Sequence, residues 1–138
     1  MGRDEAVSGP SPGSALFNRE ASPAALDEID RCLEGGMIGV KLYNQIDHSD
    51  PIVFPVAERC IAHGIPLLGH SGHVTDARPA KAAQPQISDS HDFCMLSGRY
   101  PELSLILGHV NGGGDWEWAI KALRDCPNVY VDTEKRCA

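Results

Sequence analysis

The residues most able to do chemistry are two histidines in matching settings. Pro66-Leu-Leu-Gly-His70-Ser-Gly and Leu105-Ile-Leu-Gly-His109-Val-Asn-Gly both end an apolar run in Gly-His. Neutral imidazole is a common metal ligand and the usual proton shuttle near neutral pH. The glycine before each histidine removes a side chain beside the ring, and the glycine after it lets the chain turn sharply. Each histidine taken singly could equally cap its strand and bond a nearby carbonyl. Lys41, in Gly39-Val-Lys-Leu-Tyr43, closes an earlier apolar run and is a candidate to bind an anionic substrate or, if carboxylated, to bridge two metals; its plain alternative is a side chain reaching to solvent. His73 completes His70-Ser-Gly-His73, and Asp132, in Tyr130-Val-Asp-Thr133, ends the last run as a candidate metal ligand or strand-end carboxylate. His63 and His91 read as helix positions and His48 as a loop position, structural or at the surface. Asn111-Gly112-Gly-Gly114-Asp115 stands where a phosphate cradle would lie, but position 117 is Glu rather than Gly and no Gly-Lys-Ser/Thr follows. Trp116 and Trp118 have no basic residues between them and read as helix packing rather than a stacking platform.

These residues need a frame, and the frame is periodic. Ser22-Pro23 caps a helix carrying Leu26, Ile29 and Leu33 at helical spacing, and Gly35-Gly36 stops it. Met37–Tyr43 then reads as a strand buried on both faces. Ser49-Asp-Pro51 opens a second helix with Val53, Val56, Ala57, Cys60 and Ile61, where Pro55 is tolerated only near the first turn, and Gly64 closes it. Strand Ile65–His70, helix Ser88–Arg99, strand Leu103–His109, a helix capped by Asp115 and strand Asn128–Asp132 complete the alternation. A short strand at Ala15–Phe17 precedes it, and residues 1–14 read as a disordered lead-in. Alternating apolar strands and amphipathic helices mean an α/β fold with a parallel sheet. The strand ends at Lys41, His70, His109 and Asp132 are separated by 29, 39 and 23 residues. A (β/α)8 barrel uses about 31 residues per unit, and a doubly wound sheet would use a similar number. In either fold the C-terminal edge of the strands, where both Gly-His pairs fall, is where ligands bind.

Composition sets the outer bounds. The chain has 138 residues and a formal net charge of −7, so no basic stripe is available to neutralise phosphates and nucleic acid is not an expected partner. No apolar run reaches the ~18 residues of a membrane span, and the first residues lack the apolar core of a secretory signal. Five cysteines, an odd number with no C-x-x-C, read as reduced thiols in a cytoplasmic protein.

Three segments carry a resemblance: Asp27–Lys41, Gly64–Gly72, and Arg99-Tyr-Pro-Glu-Leu-Ser-Leu-Ile-Leu-Gly-His-Val-Asn-Gly-Gly113. They are similar to the amidohydrolase superfamily, and within it to the amidohydrolase-related group that includes aminocarboxymuconate semialdehyde decarboxylase. The resemblance runs from Leu26 to Asp132. It implies a (β/α)8 TIM barrel using a divalent metal, with zinc the expected ion in the complete barrel. It places the family's fifth-strand metal ligand at His70, its sixth-strand histidine at His109 as the catalytic group, and its fourth-strand lysine at Lys41. The family's first-strand H-x-H and its eighth-strand aspartate have no counterpart, and Asp132 falls in a setting like the seventh strand. The expected architecture is therefore a partial barrel over residues 15–138, comprising about strands three or four to seven. The expected activity is that of a hydrolase of amide, ester or lactone bonds, or a related non-oxidative decarboxylase, acting on a small molecule, with this chain inactive by itself. Two other readings stay open. One is a non-catalytic half-barrel that associates through its open sheet edges with itself or a complementary fragment. The other is a small doubly wound domain that binds a phosphate at the glycine-rich turn.

Overall fold

The computed structural model describes residues 23–43, 46–72, 88–111 and 116–133. Helix α1 (Pro23–Glu34) leads to strand β1 (Val40–Leu42), α2 (Phe54–His63), β2 (Leu67–His70), α3 (Ser90–Arg99), β3 (Leu105–Gly108), α4 (Trp116–Leu123) and β4 (Val129–Val131). The helix boundaries have local causes. Proline opens α1. Asp50 accepts a hydrogen bond from the Ile52 N–H and caps a 3-10 turn, Pro51–Val53, that leads into α2; Pro55 falls in the first turn of that helix, where no intrahelical N–H is lost. Gly64, at φ 64°, ends α2 in the left-handed conformation. Asp89 and Asp92 form a capping box on α3. The strands are shorter than the apolar runs that contain them, and His109 lies just past β3 rather than within the strand.

The four strands form one parallel sheet in the order β1-β2-β3-β4. This order decides between the two architectures that strand spacing left open. A doubly wound sheet reverses its strand order at a switch point. Here each strand is added beside the previous one in the same direction, as in a (β/α)8 barrel. The core lies on one face of the sheet. Leu42, Leu67, Leu105 and Leu107 meet Ile29 of α1, Val56, Ala57 and Cys60 of α2, Phe93 and Leu96 of α3, and Leu123 of α4.

The other face corrects the expectation of strands buried on both sides. Lys41, Leu68, Ile106 and Tyr130 stand side by side in the strand register. Among the described residues they are half-buried at the centre, and Lys41 and Tyr130 are exposed at the ends. The aliphatic centre of the row reflects a face shaped for cover, as in the side-chain layers that fill a barrel. A second correction concerns the tryptophans. Both are exposed, at 53% and 67%: Ala119 and Leu123 are the buried residues of α4, and Trp118 lies on the side of the helix away from them. The Ala15–Phe17 strand, the lead-in at 1–14 and the cap at Asp115 lie outside the described residues.

Two glycines let the strand ends come together. A Cβ on Gly69 would lie 2.6 Å from Phe93 Cζ and 3.2 Å from His48 Cε1, and one on Gly108 would lie 3.0 Å from the Gly69 carbonyl oxygen. Neither position has room for a side chain. Gly69→Ala is expected to destabilise the fold by about 1–3 kcal/mol, because the methyl must displace a packed aromatic ring. Urea unfolding of Gly69→Ala in the native and Phe93→Leu backgrounds checks the cause: the loss should shrink when the ring is absent, and an equal loss in both would show that the ring is not responsible.

Candidate functional site

The site forms where β2 and β3 end. His70 is the last residue of β2 and pairs in register with Gly108, so the position opposite it carries no side chain. The chain then leaves β3 through two left-handed residues, His109 at φ 69° and Val110 at φ 44°. A β-branched residue in that region is a genuine outlier, and such strain amounts to about 1–3 kcal/mol per residue. The result is that the His109 ring comes beside His70, with centroids 4.6 Å apart and planes at 61°. On the other flank of His70 is Tyr43, with ring centroids 5.1 Å apart.

Backbone bonds hold the edge. Ser71 donates both its N–H and its hydroxyl to the Gly108 carbonyl, at 3.2 and 2.6 Å. The Asp132 N–H bonds the Leu107 carbonyl at 2.9 Å, which places Asp132 just beyond β4 at the same edge. Ser88 links the loops that follow β1 and β2: its hydroxyl accepts from the His48 N–H at 2.8 Å and its carbonyl from the Gly72 N–H at 3.0 Å. The Ser49 hydroxyl lies 2.8 Å from Asp47 Oδ1 and 2.9 Å from Asp92 Oδ1, tying the loop after β1 to α3.

The electrostatics favour a neutral His70. Partial burial, then the neighbouring His109 and Lys41, push its pKa down to about 4. Its Nδ1 is buried and has no hydrogen-bond partner among the described residues. At neutral pH this imidazole therefore carries an uncommitted ring nitrogen at the strand edge. Lys41 is exposed on the face that carries Leu68 and His70, one strand over.

The structure thus brings His70 and His109 together and puts Lys41 and Asp132 on the neighbouring strands, while His73 and Gly112–Asp115 lie outside the described residues. Among the described residues no group of three or more His, Cys, Asp or Glu side chains could hold a metal ion. A catalytic zinc normally takes three protein ligands, so the two imidazoles supply part of such a set and do not complete it.

The residue that sequence reasoning misplaced is His48. It is not at the surface: it is 1% exposed, lies 5.3 Å from the Phe93 ring between centroids, and packs against the backbone of Gly69, the residue before His70. Both its ring nitrogens are buried and have no partner among the described residues. No local pattern marks it, because its surroundings come from distant positions, Gly69 of β2 and Phe93 of α3.

A family model described as amidohydrolase matches residues 5–135. No curated protein matches the sequence. Several solved structures share its fold. An uncharacterized TIM-barrel protein from Bordetella bronchiseptica superposes with a TM-score of 0.64 at 19% identity, over 83% of this chain and 41% of its own. A uronate isomerase from Bacillus halodurans gives 0.57 at 12% identity, over 84% of this chain and 31% of its own. A dihydroorotase from Campylobacter jejuni gives 0.51 at 20% identity, over 76% and 30%. This chain therefore spans about two fifths of the first and less than a third of the other two. No described helix is long and apolar enough to cross a membrane.

Burial holds the pKa of His48 at about 4, below the ordinary histidine value, with the charge of His70 adding to the effect and that of Asp47 opposing it. A lowered folded-state pKa means that the unfolded chain binds the proton first. Stability is complete above the unfolded value of about 6.5 and falls as pH drops toward the folded value. The loss specific to His48 should approach about 3 kcal/mol by pH 4. His48→Leu, which removes both orphaned nitrogens, should flatten that part of the curve in urea melts from pH 7 to 4. A variant as acid-sensitive as the native chain would show that His48 is not the titrating group.

Proposed function

The chain belongs to the amidohydrolase family, and on that premise we propose that it furnishes two imidazoles, His70 and His109, to a metal-dependent hydrolytic site. The observation that carries this reading is the His70–His109 pair at the C-terminal strand edge, ring centroids 4.6 Å apart, with the buried Nδ1 of His70 unpartnered among the described residues. When bound, a divalent metal supplies water whose pKa is lowered toward about 7. Of this chain's own residues, His70 stays neutral and offers a nitrogen lone pair. His109, held by strained backbone beside it, gives or takes a proton at the reacting atom or donates to a developing oxyanion. In this reading Lys41, on β1, would meet an anionic group of a small substrate, and Asp132, just beyond β4, a hydroxyl group. The bond broken would be an amide, ester or lactone, or a carboxylate carbon bond in a related decarboxylation, and zinc is the expected ion. The described residues offer two imidazoles rather than three ligands, so the chain by itself should bind metal weakly and lack turnover.

A second reading rests on the sheet's edge. On β4, Tyr130 is 57% and Val131 41% exposed, and an edge strand with free apolar surface invites pairing with another copy or a complementary fragment. Size-exclusion chromatography with light scattering separates the two readings, since a monomer at high concentration argues against obligatory association.

Zinc calorimetry tests the first reading. His70→Ala and His109→Ala should each weaken zinc binding at least about tenfold, a loss of about 1.4 kcal/mol. Affinity unchanged in both variants would remove the basis for a metal role. Zinc-stimulated hydrolysis of a simple aryl ester by the native chain, lost in His70→Ala, would instead show the chain to be active alone.

A further inference from the structure

Two cysteines far apart in sequence meet in the fold. Cys94 lies in α3, and Cys126 lies in the turn between α4 and β4. Their sulfurs are 3.5 Å apart, with the Cys126 thiol directed at Cys94 Sγ. The Cys94 thiol donates in turn to the Ala122 carbonyl at 3.3 Å. Both side chains are partly exposed, so a small reagent can reach them. The other described cysteines differ. Cys60 is fully buried, and Cys32 contacts Glu28 and Arg31 on its own helix.

We propose that Cys94 and Cys126 form a modification site, a dithiol that closes into a disulfide on exposure to a small-molecule disulfide oxidant. Bond formation requires the sulfurs to approach by about 1.5 Å, to the usual separation of about 2.05 Å. Cys126 is the better placed to move. It occupies a turn held by two backbone bonds, its N–H to Leu123 and its carbonyl to Val129, rather than a helix interior. The chemistry balances with the oxidant named. The Cys126 thiolate attacks one sulfur of a disulfide RSSR and expels RS⁻, leaving Cys126–S–SR. The Cys94 thiolate then attacks Cys126 Sγ and expels the second RS⁻. Two electrons pass to RSSR, and the two thiol protons end on two RSH. Cys126, in the turn, attacks first, and Cys94, held in α3, resolves; burial and the adjacent Cys126 sulfur push the Cys94 thiol up. The bridge would close the loop from 94 to 126, which contains all of β3 together with His109. Oxidation would thereby fasten α3 to the α4–β4 turn around the strand that ends at the imidazole pair. This inference does not rest on the proposed activity.

The test uses the full chain in graded ratios of oxidised to reduced glutathione, quenched by alkylation, digested with trypsin and analysed by mass. Tryptic peptides 82–99 and 125–135 carry one cysteine each. They should appear linked, lighter than their sum by two hydrogens, and should predominate over every other cysteine pairing while circular dichroism remains native. The oxidised chain should melt several degrees higher than the reduced one. Cys126→Ser should abolish the linked pair and leave Cys94 as a single thiol or a glutathione adduct, and Cys94→Ser should trap glutathione on Cys126. Both peptides remaining alkylated at the most oxidising ratio would overturn the proposal. So would a native-like fold in which Cys94 pairs equally with Cys32, Cys60 or Cys137.

Discussion

The site depends on two missing methyl groups. At the ends of β2 and β3 the chain must pass between a packed aromatic layer and the neighbouring strand, and Gly69 and Gly108 are the positions that allow it. The space a side chain would fill beside Gly69 is taken by Phe93 and His48, and that beside Gly108 by the Gly69 carbonyl. The two contacts lie in series. α3 sets the height of the Gly69 backbone, the Gly69 carbonyl sets the approach of Gly108, and Ser71 fastens the Gly108 carbonyl to the loop leaving β2. The imidazoles at 70 and 109 are each attached to the residue that follows one of these glycines. Their separation is therefore a consequence of backbone packing rather than of any direct bond between them.

The energy stored at this edge has two forms. One is conformational: His109 and Val110 both occupy the left-handed region, which neither side chain favours. Packing must over-determine that geometry for it to persist, and such residues concentrate at sites where an atom has to be aimed. The other is electrostatic. His48 and His70 are both held neutral, chiefly by burial; His109 and Lys41 add repulsion at His70, and at His48 the repulsion of His70 is opposed by Asp47. An uncommitted neutral imidazole costs desolvation that ordinary folding would avoid. The cluster is consequently a place where stability has been exchanged for a geometry with free nitrogen lone pairs.

Much of this was legible in the sequence, for local reasons. Helix starts at Pro23 and near Asp50, stops at Gly36 and Gly64, and the strand-to-helix rhythm all come from short-range steric and capping rules, so they survived into the fold with small shifts at the ends. The Gly-His repeat was visible because both glycines answer the same packing demand. What could not be read arises between distant residues. The burial of His48 is imposed by Phe93 and Gly69. The meeting of Cys94 and Cys126 depends on how α3 and α4 lie together, and nothing at either position records it. The exposure of Trp118 follows from which stripe of α4 faces the core, since Ala119 and Leu123 form that stripe and position 118 lies away from it. The left-handed pair at 109 and 110 was hidden for the opposite reason, since residue preference there points away from the conformation adopted.

The row Lys41, Leu68, Ile106 and Tyr130 shows how composition can record a surface beyond the residues that form it. Burial against helices accounts for the alternate positions, Leu42, Leu67, Leu105 and Leu107, and needs nothing from this row. If the row faced only water, strands of this kind would alternate apolar with polar residues, as half-covered sheets do. Instead its two central residues are aliphatic, and its outer two, lysine and tyrosine, have apolar stems with polar tips, suited to surroundings that are dry along the shaft and polar at the end. That is the pattern of a face filled by side chains from further strands, the arrangement by which a barrel interior is packed. The strictly sequential strand order demands the same geometry independently, because a sheet that always adds strands on one side, with its helices on one face, curls toward closure instead of growing in both directions. Residue chemistry on the inner row and the direction of winding therefore point to one surface, and that surface continues upward into the edge where His70 and His109 stand.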